Sequence, residues 1–167
     1  NHNGSEITAL SYGADEANVT REYNSTMKVK DVNIKIENNQ VVIPAGGDQN
    51  ILIGLLQYGE KNQTSSFTST GNLNIEIDDK ANKVPYHTSA GIIVAGDSAA
   101  KMTLNNSNIK IKSKADNDYY GGAIVLGYPD YEATTTGQGA TLESKGKMVL
   151  DTTEAPDVVT LNLHGHG

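Results

Sequence analysis

The stretch GIIVAG at residues 91–96 is followed by GAIVLG at residues 122–127. Three further runs of the same form, small and apolar residues closed by glycine, occur at 8–13, 54–59 and 160–165. Successive runs start 31 to 46 residues apart. This recurrence predicts one structural unit written several times, each a strand that ends on a glycine able to make a sharp turn.

A second element precedes each of the last four runs. It reads MKVKDVNIKI at 27–36, FTSTGNLNIEI at 67–77, MTLNNSNIKI at 102–111 and LESKGKMVL at 142–150. Apolar and polar residues alternate within it with the period of a strand, and a short polar interruption predicts a bend that shifts the alternation. The first and third copies match at a distance of 75 residues, and so do the second and fourth.

Each unit therefore consists of strand, bend, strand, variable polar loop, strand and glycine. A sandwich would need hairpin turns between adjacent strands, and a propeller would need four strands per unit, whereas the units have three. We predict an all-β chain folded as a right-handed parallel β-helix of about four to five coils over residues 6–167. Residues 1–5 resemble a tag or cloning remnant, and the rest is expected to be a segment excised from a longer protein.

The alternation predicts which side chains point inward and which ones stack. The inward ladder is expected to contain Val32, Ile34, Ile36, Leu73, Ile75, Ile77, Ile109, Ile111, Met148 and Leu150. Two stacks across the strands are expected, one of Ile34, Ile75, Ile109 and Met148 and one of Asn33, Asn74 and Asn108. The glycine-closed runs should supply a further ladder of Leu56, Ile92 or Ile93, and Ile124 or Val125.

Composition excludes some partners. The formal charge of -7 and the pI near 5.0 argue against nucleic acid, which needs a basic surface. No apolar run approaches the roughly 18 residues of a membrane span, so no membrane insertion by this segment is expected. The chain contains no cysteine, which suits a bacterial protein exported through an oxidising periplasm.

The strings GNLNIEI, LNNSNIKI and GGAIVLG resemble the coils of passenger domains of Gram-negative type V autotransporters. The resemblance covers about residues 6–167. It implies a parallel β-helix displayed on the outer membrane or secreted, a C-terminal barrel outside this segment, and roles in adhesion. The chain departs from passengers that carry a serine protease box, because the nearest string, at 96–99, lacks the second glycine.

The histidines give little support for a metal site. His87 is interpreted as a lone loop residue, while His164 and His166 would share one face of a strand but lack further ligands. Exposed polar positions are the plainer interpretation of that pair. We therefore expect no metal and no other cofactor.

Two loops flanking the GAIVLG strand are the richest in tyrosine and carboxylate. Their candidate binding residues are Asp116, Asp118, Tyr119, Tyr120, Tyr128, Asp130 and Tyr131. Solvated loops, a receptor surface, and a calcium or acid–base site remain open interpretations.

Two functions from different classes follow. The first is a non-enzymatic structural and adhesive segment that binds a host or bacterial surface protein or glycan and is monomeric or weakly self-associating. The alternative is a fragment of a β-helical polysaccharide lyase or glycoside hydrolase. Opposite charges alternating down the exposed strand positions Lys35, Glu76, Lys110 and Val149 favour the scaffold.

Overall fold

The computed structural model describes residues 6–14, 23–39, 50–59, 63–81, 87–96, 99–116, 121–127 and 139–164. The regular elements in these ranges are β-strands, and no helix able to span a membrane occurs among them. The strands are β1 (Glu6–Ala14), β2 (Tyr23–Val29), β3 (Val32–Asn38), β4 (Asn50–Gly59), β5 (Gln63–Asp79), β6 (His87–Gly96), β7 (Ala100–Ser113), β8 (Gly122–Leu126), β9 (Ala140–Ser144), β10 (Met148–Glu154) and β11 (Leu161–Leu163).

These strands form two sheets, and every strand pair within the described ranges is parallel. Sheet A has the order β1-β4-β6-β8-β11. In sheet B, β2 and β3 both pair with β5, β5 pairs with β7, and β7 pairs with β9 and β10. The chain thus alternates between two sheets, and each strand lies beside its counterpart from the preceding unit. The predicted all-β class and parallel stacking are confirmed.

We call each level of this stacking a layer. Layer 1 contains β1, β2 and β3, layer 2 contains β4 and β5, layer 3 contains β6 and β7, and layer 4 contains β8, β9 and β10. Strand β11 begins the next level of sheet A.

The core lies between the sheets and is built from apolar columns that run across the strands. All ten residues of the predicted inward ladder belong to it, six of them at most 5% exposed and four packed against those at partial burial. The column Ile34–Ile75–Ile109 continues into Leu150 rather than Met148, which lies opposite Ser107. That expectation was therefore two residues out in layer 4.

The bends explain this error, because their lengths alternate. Layers 1 and 3 turn with two residues, and layers 2 and 4 turn with three that include Gly71 or Gly146. The shift of alternation occurs only at the two-residue bends. Across the three-residue bend of layer 2, buried Ser69 and Leu73 are four residues apart, so the alternation is retained.

Each two-residue bend is clamped to the three-residue bend above it. Asp31 Oδ1 accepts a hydrogen bond from the amide of Asn72 at 2.8 Å, and Asn106 Oδ1 accepts one from the amide of Lys147 at 3.0 Å. The two clamps are 75 residues apart, which is the spacing of the matching sequence copies. The true repeat is therefore a pair of layers.

Sheet A contributes a column of Leu10, Leu55, Ile92 and Ile124. Leu55 and Ile92 are fully buried and Ile124 is 2% exposed, so Leu55 takes the place predicted for Leu56. The closing glycines align only between Gly59 and Gly96, since Gly13 lies opposite Tyr58. Packing of the apolar column, rather than the glycines, sets the register.

Candidate functional site

Most of the predicted binding residues lie outside the described part of the chain. These are Asp118, Tyr119, Tyr120, Tyr128, Asp130 and Tyr131. Asp116 is described, and it is exposed just beyond the end of β7. A tyrosine-lined contact around β8 therefore stays a prediction.

Two histidines differ from their interpretation as exposed or isolated residues. His87 is the first residue of β6 and is fully buried, not alone in a loop. His164 follows β11 and is only 8% exposed, and this burial lowers its pKa. His166 lies outside the described residues.

A buried polar cluster surrounds His87. Its ring nitrogen Nε2 contacts a carboxylate oxygen of Asp79, and both side chains are inaccessible to solvent. The other Asp79 oxygen accepts hydrogen bonds from Asn38 Nδ2 at 2.8 Å and from the amide of Ala81 at 3.1 Å. Ser113 Oγ donates to Asp79 at 3.3 Å. One carboxylate thus ties together the ends of three sheet B strands and the start of β6.

The ionisation of Asp79 reflects two opposed effects. Burial alone disfavours the charged form, and the hydrogen bond and charge of His87 favour it, with help from Ala81 and Asn38. The favourable effects prevail, so the pKa of Asp79 lies below its usual value.

This cluster superficially resembles a Ser-His-Asp triad, but its geometry is different. Ser89 Oγ lies 3.5 Å from the same Nε2 that contacts Asp79. A triad needs the serine on one ring nitrogen and the carboxylate on the other. Nδ1 of His87 has no hydrogen-bond partner among the described residues. Since the side chains are sealed from solvent, the arrangement pins strands together and offers nothing to a substrate in this conformation.

The outward face of sheet B carries the candidate site. A shallow groove of about 560 Å³, which we call the sheet B groove, crosses layers 1 to 4. It is lined by Asn33, Ile34, Lys35, Asn74, Ile75, Glu76, Asn108, Lys110, Val149 and Asp151.

One wall of the groove is a column of asparagines. Asn33, Asn74 and Asn108 lie opposite one another in successive layers, as predicted, and Val149 follows in layer 4. Asn74 Nδ2 donates to Asn33 Oδ1 at 2.9 Å. Within the described residues, the side chain of Asn108 has no hydrogen-bond partner. The bonded ladder therefore stops between layers 2 and 3 and leaves amide groups facing the groove.

The other wall is a column of alternating charges, Lys35, Glu76, Lys110 and Asp151. The alternation is confirmed, but its fourth member is Asp151 rather than Val149, which lies opposite Asn108 because of the longer bend in layer 4. Lys110 Nζ lies 3.9 Å from Asp151 and 2.9 Å from Glu154.

Hydrogen bonding sets the pKa values along this wall. The bond between Lys110 and Glu154 raises the pKa of Lys110 and lowers that of Glu154. Bonds from Thr153 lower the pKa of Asp151. Lys35 binds Glu37 at 2.7 Å, which raises the pKa of Lys35. Every shift favours the charged form, so the carboxylates here are acceptors at neutral pH rather than proton donors.

Comparison of the chain with protein families, with curated proteins and with solved structures finds no match. Over the ranges that the structure describes, no group of three or more His, Cys, Asp or Glu residues is placed to hold a metal ion. The sheet B groove is therefore the site from which function is argued.

Proposed function

We propose that this chain is a right-handed parallel β-helix segment whose shape is its function, acting as a rigid structural and adhesive part of a surface-displayed or secreted bacterial protein. Support comes from strands that alternate between two parallel sheets in chain order and stack residue by residue. Parallel sheets built this way extend by adding layers, which suits a rod that presents its faces and loops.

The single observation that carries the binding role is the exposed groove with internally paired charges. A catalytic pair of carboxylates needs one member with a raised pKa to act as an acid. In the sheet B groove the resolved shift of a carboxylate pKa is downward, at Asp151. The groove is therefore suited to holding a ligand without changing it.

The resemblance to autotransporter passenger domains supports display at the outer surface of a Gram-negative cell. A host or bacterial surface protein or glycan is the expected partner. The tyrosines 119, 120, 128 and 131 remain proposed contributors, next to the groove rather than in place of it.

The test measures adhesion and turnover on the same protein. Fluorescently labelled chain is incubated with host epithelial cells and with Gram-negative bacteria, beside a variant with all four tyrosines changed to alanine. We expect saturable binding by the original chain and weaker binding by the variant if the loops contribute. A thermal melt of both proteins controls for misfolding.

Polysaccharide panels supply the contrary outcome. Unsaturated or newly reducing ends produced by the purified chain would replace the adhesive proposal with the lyase or hydrolase alternative. Absence of saturable binding to every surface would contradict the adhesive role while leaving the scaffold in place.

A further inference from the structure

The asparagine wall offers a regular set of unsatisfied amides. Asn74 uses its Nδ2 to bond Asn33, so its Oδ1 remains directed at the groove, and Asn108 contributes both an acceptor and donors. Neighbouring strands of a sheet are about 4.7–4.9 Å apart. The groups therefore recur along a line perpendicular to the strands.

The charged wall is neutral as a whole. Two lysines and two carboxylates line the groove, and each has an opposite charge nearby. Glu76 lies 3.6 Å from Lys112, outside the lining set, and Lys35 and Lys110 have the carboxylate partners described above. No unpaired cation or anion remains in the groove to select a charged ligand, because binding one would require breaking an existing pair.

We propose that the sheet B groove binds a neutral, linear polysaccharide whose chain runs along the column Asn33–Asn74–Asn108, an inference that rests on the proposed binding role. A sugar hydroxyl both donates and accepts a hydrogen bond, which matches the paired oxygen and NH₂ of an amide side chain. A linear polymer repeats those hydroxyls, as the layers repeat the amides.

Val149 completes the match at one end of the groove. It lies opposite Asn108 and is 39% exposed, which gives an apolar contact for the C–H face of a sugar ring. Polar groups that fix orientation beside a small apolar surface are the usual composition of ligand sites.

The experiment is an NMR titration of the ¹⁵N-labelled chain, in which the side-chain amides of asparagine are observed directly. The probes are soluble neutral hexasaccharides of glucose, mannose, galactose, xylose and N-acetylglucosamine in α and β linkages, beside hexagalacturonate as the anionic counterpart. At least one neutral probe should shift the Asn74 and Asn108 signals, and hexagalacturonate should bind more weakly.

Two double variants locate the effect. Asn74→Ala with Asn108→Ala should weaken binding about tenfold, since it removes hydrogen bonds that are individually modest. Thr68→Ala with Thr103→Ala, on the same two strands beyond the bend, should leave the affinity unchanged.

The inference is overturned if no neutral hexasaccharide shifts these signals, if the asparagine variant binds as tightly as the original chain, or if hexagalacturonate binds more tightly. Those results together with retained binding to cell surfaces would leave the proposed function standing. Failure of binding to both would remove both proposals.

Discussion

Asp79 is the residue that departs furthest from a simple apolar interior. A carboxylate that loses contact with water is stable only when its oxygens are bonded, and four groups from different segments bond this one. The sequence gave no indication of the contact, because His87 and Asp79 are separated by a polar segment that has no periodicity. A buried ion pair is specified by packing in three dimensions, which a linear pattern does not contain.

Replacing Asp79 by Asn should cost stability at neutral pH, because the charge that holds His87 is lost. Removing one partner of a buried pair costs on the order of 3–5 kcal/mol. The folded pKa of Asp79 is depressed, so its contribution is present above the unfolded value near 3.9 and is lost as pH falls through the folded value. Urea unfolding from pH 7 to pH 2 should show the gap between wild type and Asp79→Asn closing below about pH 4. A gap that stays constant over that range would contradict this assignment.

Gly91 shows how closely the two sheets approach. A Cβ atom at this position would lie 2.5 Å from the carbonyl oxygen of Ala123 and 2.5 Å from Cγ2 of Ile109. Backbone cannot yield cheaply, so Gly91→Ala should destabilise the chain by about 1–3 kcal/mol. Gly122→Ala is the matched control, because its nearest contacts begin at 3.1 Å and its cost should be smaller. Equal melting temperatures for the two variants would contradict the close approach.

Among the elements, the sheet B strands were predicted best. The repeated Asn-Ile-Lys-Ile pattern carries both an apolar and a polar period, so a shift by one residue would expose the isoleucines of β3 and β7. The glycine-closed runs of sheet A carry a weaker signal. Their residues are apolar on both faces, and so Leu55 and Leu56 could not be distinguished by pattern alone.

Bend length was the second feature that the pattern did not fix. Two and three residues both join the arms of a unit, and only the hydrogen bonds between layers decide which length goes where. This is why Met148 was placed one step too far along its column. The same alternation explains why copies 75 residues apart match better than adjacent ones.

The clamp at the bends makes a testable claim about an element. Asn106→Ala removes the acceptor for the amide of Lys147 and should lower the free energy of unfolding by about 1 kcal/mol. Asn105→Ala, one residue earlier, keeps its backbone carbonyl, which accepts from the amide of Gly146 at 3.0 Å, and should be nearly neutral. Chemical denaturation of both variants measures the difference. A larger loss at Asn105 would show that the side-chain clamp is not what holds the bend.

At the scale of the whole molecule, stability and binding are divided between the two faces of one sheet. The inward columns hold the layers together, and the outward columns leave amides and paired charges available without weakening the core. The excess of negative charge in the chain as a whole is absent from the groove, where two lysines match two carboxylates. A neutral ligand would therefore meet no net field at this surface.

The central claim is that strands from successive units stack in parallel and in the stated register. The chain has no cysteine, so pairs of introduced cysteines report this register directly. Asn74 and Asn108 lie directly opposite each other, whereas Asn74 and Lys112 are offset by four residues, about 13 Å along the strand. A disulfide requires Cα atoms within about 7 Å. On mild oxidation, Asn74→Cys with Asn108→Cys should form an intramolecular disulfide, detected by mass spectrometry, and Asn74→Cys with Lys112→Cys should remain reduced. Equal bridging by both pairs, or bridging only by the offset pair, would contradict the stacking described here.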